Sequence, residues 1–155
     1  MPHEFRTSRL VEFADTDMAG IMHFANYFRI MEATEHAFFR SLGLSVHSQH
    51  GPEMAGWVRV SAACDYRRPL RYQDEVDLHL RITGKTNKSM TYTIDFLRRG
   101  AAPDEALCAR GTMTVVYVTQ KAGQDRPRAA PMPDDVNRLL QIAPDADVMR
   151  IRPHA

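Results

Sequence analysis

Residues 11–44 read VEFADTDMAGIMHFANYFRIMEATEHAFFRSLGL, and their reading decides the fold. The first part, ADTDMAG, is rich in Asp and Gly and reads as a turn. Residues 23–42 then place Phe24, Phe28, Met31, Phe38 and Leu42 at three- and four-residue spacings. Tyr27, Ile30 and Ala37 fill a neighbouring face, and the segment holds no Gly or Pro. The spacing predicts one helix of about twenty residues, roughly 30 Å long. A helix that is apolar on most sides is expected to be largely buried. Gly43 supplies its C-terminal stop.

On either side the text alternates with period two, the signature of strands. Before the turn, residues 4–13 put Phe5, Thr7, Val11 and Phe13 on one face, with Arg9 interrupting. After it, residues 45–56 hold Ser, His, Gln, Gly and Pro without periodicity and read as a loop. Four strand-like runs follow. The first has Val58, Val60, Ala62, Cys64 and Tyr66 on one face, ending at Pro69. The second has Val76, Leu78, Leu80 and Ile82, ending at Gly84. The third has Met90, Tyr92, Ile94 and Phe96, and the last has Leu107, Ala109, Met113, Val115 and Tyr117. Residues 119–133 are a polar, Pro-rich loop. Residues 134–142 predict a short helix with Asp134 or Asp135 near its start, and the final residues read as irregular.

The order strand, helix, four strands with short links favours antiparallel pairing. One apolar helix needs a sheet face to cover it. The expected class is α+β, a five-stranded antiparallel sheet wrapped around one long central helix, as a single domain over residues 1–155. Such a sheet leaves edges and faces uncovered, which points to a homo-oligomer, a dimer or a dimer of dimers.

Composition narrows the function. The chain has 155 residues, 44% hydrophobic and 25% charged, as a soluble globular protein does. Lys+Arg is 20 and Asp+Glu is 19, for a net charge of +1, so no global charge directs it to nucleic acid or an anionic membrane. Cys64 and Cys108 lack zinc or disulfide spacing and read as free thiols in a reducing cytoplasm. No apolar run approaches the ~18 residues of a membrane span. No P-loop, GxGxxG or HExxH motif is present, so nucleotide, nicotinamide and zinc chemistry lack support, and no metal is expected.

The strand, the D-x-D-x-x-G turn, the A-N-Y run and the acidic helix read here as Asp15, Asp17, Gly20, Ala25, Asn26, Tyr27 and Glu32. This pattern resembles the hot-dog-fold acyl-CoA thioesterases of the 4-hydroxybenzoyl-CoA thioesterase type. The resemblance is dense over residues 11–44 and looser as far as Thr119. It implies the hot-dog fold, an acyl-CoA substrate, and no cofactor beyond the coenzyme A of that substrate. It makes Asp17 the catalytic carboxylate, as nucleophile or general base, and Phe24 the donor of the backbone amide that polarises the carbonyl. Phe24 stands where many relatives have His, so no extra catalytic His carries over. Gly20, His23, Asn26, Tyr27 and Glu32 are expected around the substrate.

The chemistry is consistent with those residue types. Thioester hydrolysis needs a nucleophile or base beside the acyl carbon and donors where negative charge grows on oxygen. A helix N-terminus offers free N–H groups. Taken alone, Asp17 also reads as an Asx-turn carboxylate, Asp15 as a turn brace, and His23 as a base or a packing residue. Asn26 reads as a cap or brace, and Glu32 as a pocket residue or a solvent-reaching one. Lys85, Lys88 and Ser89 form the best local cluster for the coenzyme A phosphates, with Arg67, Arg68, Arg126 and Arg128 as further candidates. Two other functions fit the same fold: a hot-dog dehydratase using His23 with Glu32 or Glu35, and a non-catalytic acyl-CoA-binding module. The run IMHFANYFRIMEATE lacks the Pro/Gly-rich spacing of those dehydratases.

Overall fold

A computed structural model describes residues 3–144 of the chain. Strand β1 (Glu4–Leu10) leads through a 3-10 turn (Phe13–Asp15) to helix α1 (Asn26–Ser41). Then come β2 (His47–His50), β3 (Glu53–Tyr66), β4 (Glu75–Lys85), β5 (Ser89–Arg98), β6 (Leu107–Gln120), β7 (Arg128–Ala129) and α2 (Asp134–Leu139). The strands form one antiparallel sheet in the order β1-β4-β5-β6-β3-β2, with β7 beside β6. The expected α+β architecture of a curled antiparallel sheet around a helix is present.

Several expectations need correction. The sheet has seven strands rather than five, because β2 and β7 extend it. The stretch read as a loop at 45–56 contains β2 and the start of β3, paired from His47↔Gly56 to His50↔Glu53. All four β2 residues are exposed, so no apolar alternation marks the hairpin. The helix has 16 residues, about 24 Å at 1.5 Å per residue, not twenty. Residues 23–25 form a turn instead, in which the Asn26 N–H donates to the His23 carbonyl (3.0 Å). The first strand also stops early: Phe13 lies in the 3-10 turn and is exposed. The predicted C-terminal helix ends at Leu139, and the tail from 145 lies outside the described residues.

The core lies between α1 and the inner sheet face. Tyr27, Ile30, Met31, Phe38 and Phe39 meet Leu78, Leu80, Ile82, Tyr92, Ile94, Phe96 and Met113. Inner positions alternate along β4 and β5, as period two requires. The helix is less enclosed than its composition suggests, since Arg29, Glu32, Ala33 and Arg40 face outward. Gly43, at φ 71°, ends it in the left-handed region, where a Cβ is costly. The Leu44 N–H reaches back to the Phe39 carbonyl (2.9 Å).

The outer face carries charge in place of apolar bulk. The Asp95 carboxylate is held between Arg81 (2.8 Å) and Arg110 (2.6 Å), and His79 meets Glu4 (2.7 Å). From Val58 to Tyr66, β3 pairs with β6 on one side and has no strand on the other among the described residues. Val58 and Val60 are exposed there, and a bulge falls at residue 60. Among the described residues, no helix is long and apolar enough to cross a membrane.

Candidate active site

The DTDMAG turn is built around Asp15. Its carboxylate accepts from Arg9 Nη2 at 3.1 and 3.2 Å and from the Glu12 N–H at 2.9 Å. Its carbonyl accepts from the His23 N–H (2.9 Å) and from Asn26 Nδ2 (2.8 Å). One buried residue therefore joins β1, the turn and the first residue of α1. The turn then doubles back: Thr16 bridges Met22, and the Asp17 N–H donates to the Ile21 carbonyl (2.9 Å). Gly20 makes that reversal possible at φ 78°, a conformation that L side chains rarely adopt. The Ile21–Arg71 bridge and the Met22 N–H to Leu70 carbonyl bond (2.7 Å) pin the hairpin to the segment between β3 and β4.

Asp17 sits half-buried at the start of this hairpin. Its Oδ1 accepts the Ala19 N–H (2.8 Å), the Asx-turn bond, which leaves Oδ2 with no partner among the described residues. The carboxylate lines a pocket of about 450 Å³ with Met22, Phe24, Tyr27, Tyr66, Arg67 and Arg68. The Phe24 N–H has no acceptor among the described residues, and the Phe24 carbonyl accepts the Tyr66 hydroxyl (2.8 Å). The pocket wall is aromatic: the Tyr27 ring meets Tyr66 at 4.9 Å and Phe96 at 5.1 Å. Burial pushes the Tyr27 phenol far above its ordinary pKa, and burial pushes the Tyr66 phenol up to about 12, so both stay protonated at neutral pH.

The other motif residues lie around this pocket rather than in it. His23 stacks on Phe24 (4.6 Å), and its Nδ1 accepts the Ala25 N–H (3.1 Å), so that nitrogen is occupied in starting the helix. Asn26 braces the Asp15 carbonyl and leaves the helix cap to Ala25, which has no side-chain bond to give. Gly20 shapes the turn. Glu32 faces a different hollow of about 430 Å³, with Arg9, Asp15, His36 and Arg40, and pairs with Arg59 (3.2 Å). Arg59 also holds the buried Glu35 (2.9 Å), whose pKa is raised by burial against the pull of that guanidinium.

The residues of the expected phosphate cluster are not among those that line this pocket. Lys85 donates to the carbonyls of Asn137 and Leu140, both at 2.6 Å, and so closes the C-terminal end of α2. Ser89 Oγ is engaged with Thr86 Oγ1 (2.7 Å). Lys88 is exposed, but it shares the hairpin at the far end of β4, about 33 Å of strand from the Glu75 end near the Asp17 pocket. Arg67 and Arg68 are the basic side chains that line that pocket. Tyr66 is a site residue that the sequence reading placed only in a strand. Its one signal was its position at a strand end directly before RRP.

Comparison with known proteins bears on the family and the fold. The profile of the thioesterase-like superfamily matches residues 11–140. The 1,4-dihydroxy-2-naphthoyl-CoA hydrolase of Synechococcus elongatus is 25% identical over 145 residues, 92% of this chain and 98% of that protein. Among solved structures, a 1,4-dihydroxy-2-naphthoyl-CoA thioesterase from Synechocystis superposes with a TM-score of 0.74. It is 23% identical, over 88% of this chain and 95% of that one. The 4-hydroxybenzoyl-CoA thioesterase from Pseudomonas sp. strain CBS-3 gives 0.73 at 23% identity, over 88% and 99% of the two chains. These neighbours share the hot-dog fold.

Proposed function

This chain belongs to the thioesterase-like superfamily, and we propose that it hydrolyses an acyl-CoA thioester to the free acid and coenzyme A. One observation carries the reading: the Asp17 carboxylate lines the same pocket as Phe24, whose backbone N–H is unpaired among the described residues. A thioester carbonyl bound between them meets a base or nucleophile at carbon and a hydrogen-bond donor at oxygen. Asp17 either attacks the carbon or takes a proton from the attacking water. The Phe24 N–H stabilises the charge that builds on the carbonyl oxygen. The C–S bond then breaks, and the thiolate leaves to take up a proton. Along the direct route, water cleaves the acyl-aspartyl intermediate, so both routes end in acid and thiol.

The aromatic wall of Tyr27, Tyr66 and Phe24 suits a flat aryl acyl group, as in the relatives' named substrates. Arg67 and Arg68 supply cations at the pocket for the charged remainder of the substrate. The bare edge of β3 favours a homodimer joined edge to edge, alone or doubled into a homotetramer, with sites near the subunit boundary.

The test is thiol release from a panel of aryl- and alkyl-CoA thioesters by wild type and Asp17→Asn. Asparagine keeps an oxygen for the Ala19 N–H and removes the base. The expected result is a kcat about a hundredfold lower or more, at unchanged Tm. Wild-type turnover by Asp17→Asn would refute the assignment. Sedimentation at micromolar concentration tests the assembly, and an active monomer would exclude a shared site.

A further inference from the structure

The turn that carries the Phe24 amide is pinned on either side, where His23 and Asn26 bond to the Asp15 carbonyl, but residue 24 itself lies at its exposed crest. The Phe24 side chain is 64% exposed, and its one ring neighbour among the described residues is His23, on the same loop. An N–H that stabilises a developing charge must be fixed before the reaction starts, since a misplacement of about 1 Å can cost a hundredfold in rate. Residue 24 itself therefore needs a tie to a rigid element, beyond the bonds that hold its neighbours.

The geometry points to Tyr66 as that anchor: we propose that it is a positioning residue that fixes the Phe24 amide for the reaction, through its hydroxyl bond to the Phe24 carbonyl. This rests on the reading that Phe24 polarises the thioester. Tyr66 ends β3, where it pairs with Ala109 of β6, and its ring lies edge-on against buried Tyr27. The hydroxyl is thus carried by the sheet and the core. It reaches 42 residues back along the chain to the loop and donates to the Phe24 carbonyl at 2.8 Å. No other described hydrogen bond joins residue 24 to the sheet. The bond restrains the carbonyl side of the residue and leaves its N–H free for the substrate. The phenol, with its pKa raised to about 12, remains a donor across the working pH range.

Tyr66→Phe removes the hydroxyl and keeps the ring against Tyr27. With a good thioester substrate we expect kcat to fall about five- to thirtyfold and KM to stay within twofold. The loss should be the same from pH 6 to pH 9, because the hydroxyl does not titrate there. Unchanged kcat overturns the proposal, and so does a raised KM at wild-type kcat, which would make Tyr66 only a pocket wall. If Tyr66→Phe lowers Tm, the assay is repeated well below it. A kcat loss that persists there supports positioning, and full recovery overturns it. Asp17→Asn in parallel separates the two ideas. A dead Asp17→Asn with a fully active Tyr66→Phe removes only the anchor, whereas full activity in both removes the site itself.

Discussion

The thioether of Met31, on α1, occupies the space that a Cβ on Gly111, in the middle of β6, would fill. Both residues are buried, and Met31 has no exposed surface. The missing side chain lets the helix approach the sheet closely enough for Met31 to lie directly on strand backbone. Helix and strand therefore constrain each other at one point beneath the core.

Gly111→Ala tests that contact. The added methyl must displace a side chain with no free volume, an overpacking cost of about 1–3 kcal/mol. In a chain of this size that is a Tm lower by roughly 3–10 °C. Thermal unfolding followed by circular dichroism measures it, and an unchanged Tm would show that Met31 swings aside freely.

Asp15→Ala addresses the turn. It leaves Arg9 and the Glu12 N–H without their acceptor, in a partly buried setting. The expected loss is about 2–3 kcal/mol in urea unfolding. Turnover should fall as well, because Asp17 is two residues away on the hairpin that Asp15 holds. Full activity at reduced stability would separate the brace from the site.

Lys85→Met removes the cation from the last carbonyls of α2 while keeping the stem. Two charge-assisted bonds at 2.6 Å go with it, worth about 1.5–3 kcal/mol in all. KM for an acyl-CoA should not change. A raised KM without loss of stability would return Lys85 to the substrate.

His79 gives a pH signature. Burial holds its pKa below the ordinary histidine value of 6.5, although the Glu4 carboxylate pulls the other way. Between the folded pKa and 6.5 the unfolded chain binds more protons, so stability falls as pH drops through that window. Glu4, whose pKa is lowered by its bond to His79, loses its contribution in the same direction at more acid pH. Tm should therefore fall as pH drops from 7 to 5, and His79→Gln should flatten that slope. Equal slopes in the two proteins would exclude His79 as the source.

What the sequence made legible follows from the range of the interactions. The helix, its Gly43 stop and the five long strands rest on local periodicity, and all are present. The Asp15–Asp17 turn was readable because its bonds close within a few residues. The β2 hairpin was hidden because HSQH exposes every side chain and so carries no pattern. The bonds of Lys85 were not legible because its partners, Asn137 and Leu140, are more than fifty residues away. Tyr66 escaped for the same reason, since only the folded sheet brings it to Phe24.

In the proposed assembly, the bare stretch of β3 would also set how many copies join in the plane of the sheet. At the opposite edge, β1 is seven residues long and bears Glu4, Arg6 and Arg9, a guarded margin that discourages strand addition. Among the described residues, the sheet thus offers one open edge to the proposed pairing. Two molecules that meet β3 to β3 about a two-fold axis each use up their open edge, and the product is closed to further strands. In the proposed assembly anything larger than a pair would be stacked through faces, such as the outer one, where Arg81 and Arg110 flank the buried Asp95. The edge that would invite fibres in a sheet open on both sides would, in the proposed assembly, be a device for counting to two.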